Sequence, residues 1–297
     1  LVGERLMELK GRIVRAISGF YYVETQGRVI ECRARGIMRK NGVTPLVGDT
    51  VSLVSEGGSG TVEEVLDRRN FLIRPPVANI DRLYIVSSRF NPAPNTLLID
   101  RQICICERAG IEPAVVFNKS DEGDFDELKQ VYSKAGFETF VISCLTGEGV
   151  DAVKASLPQG ISVFTGNSGV GKSSLLNMIS PDLGIKTGEV SDKLGRGRHT
   201  TRHTELYDVG CGRFIADTPG FSTLESDPVP KEELADLFRE FGDCLGGCRF
   251  TSCSHTCEKG CAVIDAVNAG RIARSRFESY CVLYSEAAKV KSWELKK

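Results

Sequence analysis

The chain has 297 residues, with 38 basic against 39 acidic side chains and 11 cysteines. Its length suits one to three domains, and its nearly cancelled charge points to no partner by itself. No apolar run of about 18 residues is present, which excludes a helical membrane span, and no secretory leader pattern is present, so the cysteines are expected in a reducing cytoplasm, as a metal cluster rather than a disulfide scaffold.

Lys and Arg outnumber Asp and Glu over 1–52 and again over 271–297, so two basic ends flank an acidic centre. Such ends suit a polyanion, and solvated faces are the plain alternative. Short strands are predicted at 11–17, 20–24, 28–35, 49–54 and 60–65, with turn signals at Asn41-Gly42, Val47-Gly48-Asp49 and Gly57-Gly58. Five short strands predict a small barrel of the OB type, a fold that binds nucleic acid through basic and aromatic surface residues. Arg33, Arg35, Arg39 and Lys40 are the candidate cations, and Tyr21 and Tyr22 the candidate stacking rings. The alternative is that the tyrosines are core and the arginines merely solvated.

After a connector at 68–76 the pattern changes. Apolar strands are predicted at 81–87, 113–117, 138–142 and 161–165, and helices at 95–109, within 124–136 and at 150–157. Strands alternating with helices imply a parallel sheet covered on both faces.

The chemistry sits at the strand ends. Asn118-Lys119-Ser120-Asp121 follows the 113–117 strand and reads as N-K-x-D, in which an aspartate accepts from the ring N–H and exocyclic amine of guanine. Adenine lacks that donor pair, so the carboxylate would go unpaired. Ser143-Cys144, at the next strand end, fits a loop that supports the base through backbone N–H groups, or an ordinary turn. Gly166-Asn167-Ser168-Gly169-Val170-Gly171-Lys172-Ser173 is G-x-x-x-x-G-K-S, between a buried strand and a helix that opens at Ser174, itself a further candidate for nucleotide contact. The loop's N–H groups can close around phosphate oxygens, Lys172 can reach the β- and γ-phosphates, and Ser173 can ligate Mg²⁺.

A glycine-rich, charged loop spans 188–203. Thr200 or Thr201 can contact Mg²⁺ and the γ-phosphate, with Thr201 slightly favoured. Asp217-Thr218-Pro219-Gly220 follows a strand at 213–216. Asp217 is placed to reach Mg²⁺ through water, and the Gly220 N–H to reach the γ-phosphate. The next residue is Phe221, which cannot orient water, so His199 or His203 is left for that role and His199 is the choice. N-K-S-D precedes the phosphate loop, the reverse of the usual GTPase order, which indicates a circular permutation. Finally, after a helix predicted near 231–241, Cys248, Cys253, His255 and Cys261 supply three thiolates and one imidazole for one structural Zn²⁺, with Cys244 and Cys257 as nearby competitors. Helices are predicted at 263–269 and 272–289, and Arg271, Arg274, Arg276, Lys289 and Lys291 form a candidate polyanion-facing surface.

Together, the barrel, N-K-S-D ahead of G-N-S-G-V-G-K-S-S, R-H-T-T-R, D-T-P-G-F and C-x4-C-x-H-x5-C resemble one family over nearly the whole chain. It is that of the circularly permuted GTPases acting in late maturation of the small ribosomal subunit. The resemblance implies an OB barrel at 1–70, a permuted GTPase domain at 71–225 and a helical zinc domain at 226–297. It implies GTP hydrolysis to GDP and phosphate that is slow alone and faster on the small (30S) subunit, contact with 16S rRNA through barrel and zinc domain, and help in releasing assembly factors. It also implies a cytoplasmic protein, monomeric off the ribosome, with a hydrophobic residue after D-x-x-G (here Phe221) and a switch histidine in catalysis (here His199). Cys257 and Lys259, the latter where proline is common, depart from the pattern. Two rivals remain: a GTP-dependent RNA-binding switch with incidental hydrolysis, and a metabolic or signalling GTPase acting on proteins.

Overall fold

The computed structural model describes residues 7–40, 42–184, 204–217 and 228–290. The chain opens with β1 (Met7–Ile17), β2 (Phe20–Thr25), β3 (Arg28–Ala34), the short α1 (Gly36–Lys40), β4 (Thr50–Glu56) and β5 (Ser59–Val65). β1 pairs with both β2 and β4, and β5 joins β3 to β4, so these strands close on themselves as a barrel. Alternation drives the closure: Tyr21, Val23 and Thr25 of β2 face in while Phe20, Tyr22 and Glu24 face out. Tyr21 is 7% exposed, which corrects its reading as a stacking residue; Tyr22 keeps that possibility.

The connector folds into a small hairpin, β6 (Phe71–Leu72) and β7 (Val77–Ala78). Then come β8 (Ile80–Ser88), α2 (Thr96–Ala109), β9 (Glu112–Asn118), α3 (Asp126–Lys134), β10 (Glu138–Val141), α4 (Val150–Ala155), β11 (Gly160–Thr165), α5 (Lys172–Ile179), β12 (Glu205–Asp208) and β13 (Arg213–Asp217). Asn95 caps α2 by accepting from the Leu98 N–H at 3.0 Å, and Gly110, in the left-handed region, closes its other end. β10, β9, β8, β11 and β13 run parallel in that order, and β12 adds antiparallel beside β13 and meets β1 on its other side. Strands of such a sheet are apolar on both faces. Leu83 and Ile85 of β8 therefore pack with α2 and α3 residues on one side, and Tyr84 and Val86 with α4 and α5 residues on the other.

The C-terminal part replaces the helix expected near 231–241 with two short 3₁₀ turns, Leu234–Leu237 and Arg239–Cys244. α6 (Ala262–Asn268) and α7 (Arg274–Ala287) follow. Phe238, Phe241 and Tyr280 meet edge to face and close over Cys104 of α2, and Arg239 pairs with Glu112 of β9, so this unit is seated on α2 and on the neighbouring edge of the parallel sheet.

Candidate functional site

Because the parallel strands share a direction, their C-terminal ends form one rim, where such sheets bind ligands. Gly166 leaves β11 on that rim with φ 139°, and a Cβ there would lie 2.1 Å from the Val86 carbonyl oxygen. At Gly171 (φ 93°) a Cβ would meet the Asn118 amide nitrogen at 2.2 Å. Glycine is thus required at both ends of the loop by close approach as well as by φ. Between them Asn167, Ser168 and Gly169 lie on the outer side, while Val170 is buried among the residues around α5 and offers only its backbone. α5 starts at Lys172, so Ser173 and Ser174 occupy its first turn, where N–H groups have no helical partners.

Lys172 folds back on its own loop. Its Nζ donates to the carbonyl oxygens of Gly166 (2.5 Å) and Asn167 (2.8 Å). Burial pushes its pKa down to about 8. A bound polyphosphate would supply the countercharge that these two carbonyls do not.

Asn118, buried at the end of β9, ties three loops together. Its Nδ2 donates to the Val170 carbonyl at 2.8 Å, and its Oδ1 accepts from the Cys144 N–H at 3.0 Å. Ser143 Oγ donates to Asp121 Oδ1 and accepts from the N–H groups of Leu145 and Thr146, both at 3.2 Å. Asp121 is left exposed on the rim, held in place yet with its second oxygen available. Burial pushes the Cys144 thiol up to about 11, so it is a neutral wall group. Sequence reasoning missed the loop after β8. Lys119, itself left-handed at φ 67°, donates to the carbonyls of Phe90 (3.1 Å) and Asn91 (3.3 Å), and Ser88 Oγ donates to those of Phe90 and Pro92. Backbone carbonyls carry no sequence signal, so only the Asn91-Pro92 turn pair hinted at it.

Asp217 ends β13 on the same rim, opposite Glu205 of β12 in the ladder. His199, Thr200, Thr201, His203, Gly220 and Phe221 lie outside the described residues, as does Lys291.

In the C-terminal unit, Cys248, Cys253, His255 and Cys261 bring one ligand atom each within 4.8 Å of one another. Cys248 Sγ and Cys261 Sγ are 3.8 Å apart, and His255 Nδ1 lies 3.4 and 3.5 Å from them. Tetrahedral Zn²⁺ with bonds of about 2.3 Å to sulfur and about 2.0 Å to nitrogen requires about 3.8 and about 3.5 Å for those edges, so the residues fit the ion. The two competitors stand aside: Cys244 is in the apolar core and Cys257 is exposed. Glu258 fastens the loop. It accepts from the Ser254 and Thr256 N–H groups (2.7 and 3.1 Å), the Cys257 N–H (3.1 Å) and the Ser254 hydroxyl.

The basic residues divide. Arg33 lies over the Phe20 ring at 4.6 Å on the barrel's outer face, and Arg35 is paired with Glu63. Lys40, Arg271, Arg274 and Lys289 are exposed, and the Arg39 side chain is outside the described set. Arg276 is a correction. It is fully buried, 2.7 Å from both Asp100 of α2 and Glu240, and is unavailable to any polyanion.

A family model described as RsgA GTPase matches residues 65–227, and one described as RsgA N-terminal domain matches 10–62. The chain is 49% identical to the small ribosomal subunit biogenesis GTPase RsgA of Caldanaerobacter subterraneus subsp. tengcongensis, covering 94% of this chain and 95% of the relative. A protein of that name from a Geobacillus species is 43% identical, covering 93% and 97%. Among solved structures, YjeQ from Thermotoga maritima superposes with a TM-score of 0.82 at 35% identity, covering 96% of this chain and 100% of that one. YloQ, described as a circularly permuted GTPase, gives 0.79 at 34%, with 98% of each covered.

Proposed function

Since this chain belongs to the RsgA GTPase family, we propose that it hydrolyses GTP to GDP and phosphate while bound to the small ribosomal subunit, and that it assists late maturation of that subunit. The observation that carries the nucleotide half is the Asn118 knot. One side chain joins the N-K-S-D loop, the base-supporting 143–146 turn and the phosphate loop, so base and phosphates are read by one rigid unit. In the same reading the domain limits are 1–70 for the RNA-binding barrel, 71–225 for the GTPase domain and 226–297 for the zinc domain.

In this reading Asp121 accepts from guanine, with Ser143 fixing its orientation, and the stem of Lys119 covers the base face. Backbone N–H groups over 167–174 hold the phosphates, and Lys172 exchanges its carbonyl partners for phosphate oxygens. Mg²⁺ would be held by Ser173, Thr201 and, through water, Asp217, and would neutralise charge on the β- and γ-oxygens. Gly220 donates its N–H to the γ-phosphate. His199 orients the attacking water, since Phe221 cannot. The outer barrel face around Arg33 and Tyr22, with the exposed Arg271, Arg274 and Lys289, contacts 16S rRNA. Cys248, Cys253, His255 and Cys261 would hold one Zn²⁺, which would staple the 248–261 loop in a structural role. The protein works in the cytoplasm and is monomeric off the subunit.

Turnover measured with and without purified small subunits tests this. The expected outcome is slow turnover alone and stimulation of at least about 10²-fold by subunits. Absence of stimulation overturns the ribosomal assignment and favours a protein-directed GTPase. His199→Ala is expected to remove most of the stimulated rate while leaving GDP affinity within about twofold; an intact stimulated rate refutes the histidine's role.

A further inference from the structure

The barrel and the GTPase sheet are hydrogen-bonded into one sheet at a single seam, where Arg15 of β1 faces Glu205 of β12. The registers on either side of that seam line up. Asp217 faces Glu205, Glu205 faces Arg15, Arg15 faces Tyr22, and Tyr22 faces Glu31, on five successive strands. From Glu205 outward the side chains are in contact. Arg15 pairs with Glu205 at 3.5 Å, the Arg15 guanidinium lies 4.0 Å from the centre of the Tyr22 ring, and the Tyr22 hydroxyl donates to Glu31 at 3.0 Å. A second contact supports the seam: Arg12 lies over the Phe214 ring of β13 at 4.7 Å.

We propose that this row is a coupling device in which Arg15 is a positioning residue for the β12–β13 hairpin, and in which RNA on the barrel competes with Glu205 for Arg15. The inference rests on the ribosomal reading above. Arg15 and Glu205 are each about one-third exposed, at 36% and 35%, so a phosphate can reach the pair. An exposed ion pair is weakly held and readily exchanged. The Arg15 Nε is buried with no partner among the described residues, so its present position leaves the guanidinium incompletely satisfied. The half-buried Tyr22 ring holds the guanidinium over its face at the same surface.

The exchange has a consequence on the nucleotide side. Opposite charges at facing positions of a ladder support the pairing of the two strands. With Arg15 in place the Glu205 charge is offset, and Asp217 is the residue facing it. With Arg15 drawn to a phosphate, β12 loses its cross-strand partner at the seam, at the ladder position whose register continues to Asp217, the residue assigned above to Mg²⁺. RNA occupancy and the nucleotide state therefore bias the same hairpin. Thermodynamic reciprocity then requires the nucleotide to alter affinity for RNA by the factor by which RNA alters affinity for the nucleotide.

The experiment measures the affinity of the full chain for small ribosomal subunits, once with GDP and once with a non-hydrolysable GTP analogue. It compares wild type, Glu205→Gln, Arg15→Gln and the double variant. In wild type the two affinities are expected to differ by at least about fivefold. Glu205→Gln removes the internal competitor, so it is expected to tighten the weaker state and bring the ratio to within about twofold of one. Arg15→Gln is expected to weaken both states and also flatten the ratio. The double variant should do no more to the ratio than either single change, as residues of one network do. If Glu205→Gln keeps the wild-type ratio, or if wild type has no ratio to lose, the coupling is overturned. If wild type fails to bind subunits in either state, the ribosomal reading itself falls. A purely structural role for Glu205 would lower the melting temperature without moving the ratio.

Discussion

Lys172 shows how much of the site is set by a single charge. Its ammonium sits on two carbonyls with burial acting against it, and its pKa lies at about 8 against 10.5 in an open chain. The folded, nucleotide-free protein therefore binds fewer protons than the unfolded chain between about pH 8 and pH 10.5. This group's contribution to stability rises with pH across that window and is unfavourable below it. Nucleotide affinity should move the other way. A triphosphate needs the charged form, so GTP affinity is expected to be flat below pH 8 and to fall by up to about tenfold per unit above it. Titration calorimetry at several pH values checks this, and a flat profile to pH 9.5 contradicts it. The residue scale is also where sequence was read best and worst. Asn118 and Asp121 stood out because guanine needs a particular acceptor set, and the structure puts both at the rim where β9 ends. Arg276 was misread because a formal charge near a basic terminus looks like surface, and nothing local announces that Asp100, so far away in the chain, will meet it.

At the scale of elements, the 248–261 loop has little apolar content and no regular structure before α6, yet four ligand atoms converge in it. Burial works to raise the Glu258 pKa, but the hydrogen bonds from Ser254 and Cys257 outweigh it and hold the carboxylate at about 2. A loop so pinned is pre-formed for a tetrahedral ion. One zinc per chain is expected on metal analysis. Cys261→Ser should release it to a chromogenic chelator and lower Tm by at least about 4 °C. A metal-free chain with unchanged Tm contradicts this. The strands were legible for a plain reason: period-2 alternation in the barrel and unbroken apolar runs in the sheet are both direct prints of burial. The region around 231–244 was not legible. Its apolar Leu234, Leu237, Phe238 and Phe241 recur at helical spacing, but the backbone tightens into 3₁₀ turns so that Phe238 and Phe241 can both meet Tyr280.

For the whole molecule, the seat of the C-terminal unit is an ionic core. Arg276 of α7 reaches Asp100 and Glu240 while the rings of Phe238, Phe137 and Tyr132 stand 4.6, 5.4 and 5.9 Å from its guanidinium. Removing one partner strands a buried charge. Arg276→Ala is expected to cost about 3–5 kcal/mol in denaturant unfolding, and Arg276→Met paired with Asp100→Leu to recover much of it. An Arg276→Ala loss below about 1 kcal/mol would show that the seat depends on the aromatic contacts instead. Two residues along α2 from Asp100, Gln102 donates to Thr165 at 3.4 Å, just ahead of the phosphate loop, so one helix touches both the zinc unit and the nucleotide site. Motif order alone revealed the permutation, whereas the joining of barrel and GTPase into one sheet depends on long-range pairing that no local pattern records.

That seam also bears on how the chain is made. β1 pairs with β4 along its first half and with β2 along its second, so beyond the bulge between Ile13 and Arg15 its other edge is open until β12 arrives. β12 is encoded roughly 190 residues later, which at about 5–20 residues per second is a delay of about 10–40 s during synthesis. Throughout that interval the newborn barrel carries an unpaired strand edge, the kind of surface that templates aggregation. The charged Arg15 on that stretch is well placed to guard it until the last strands emerge.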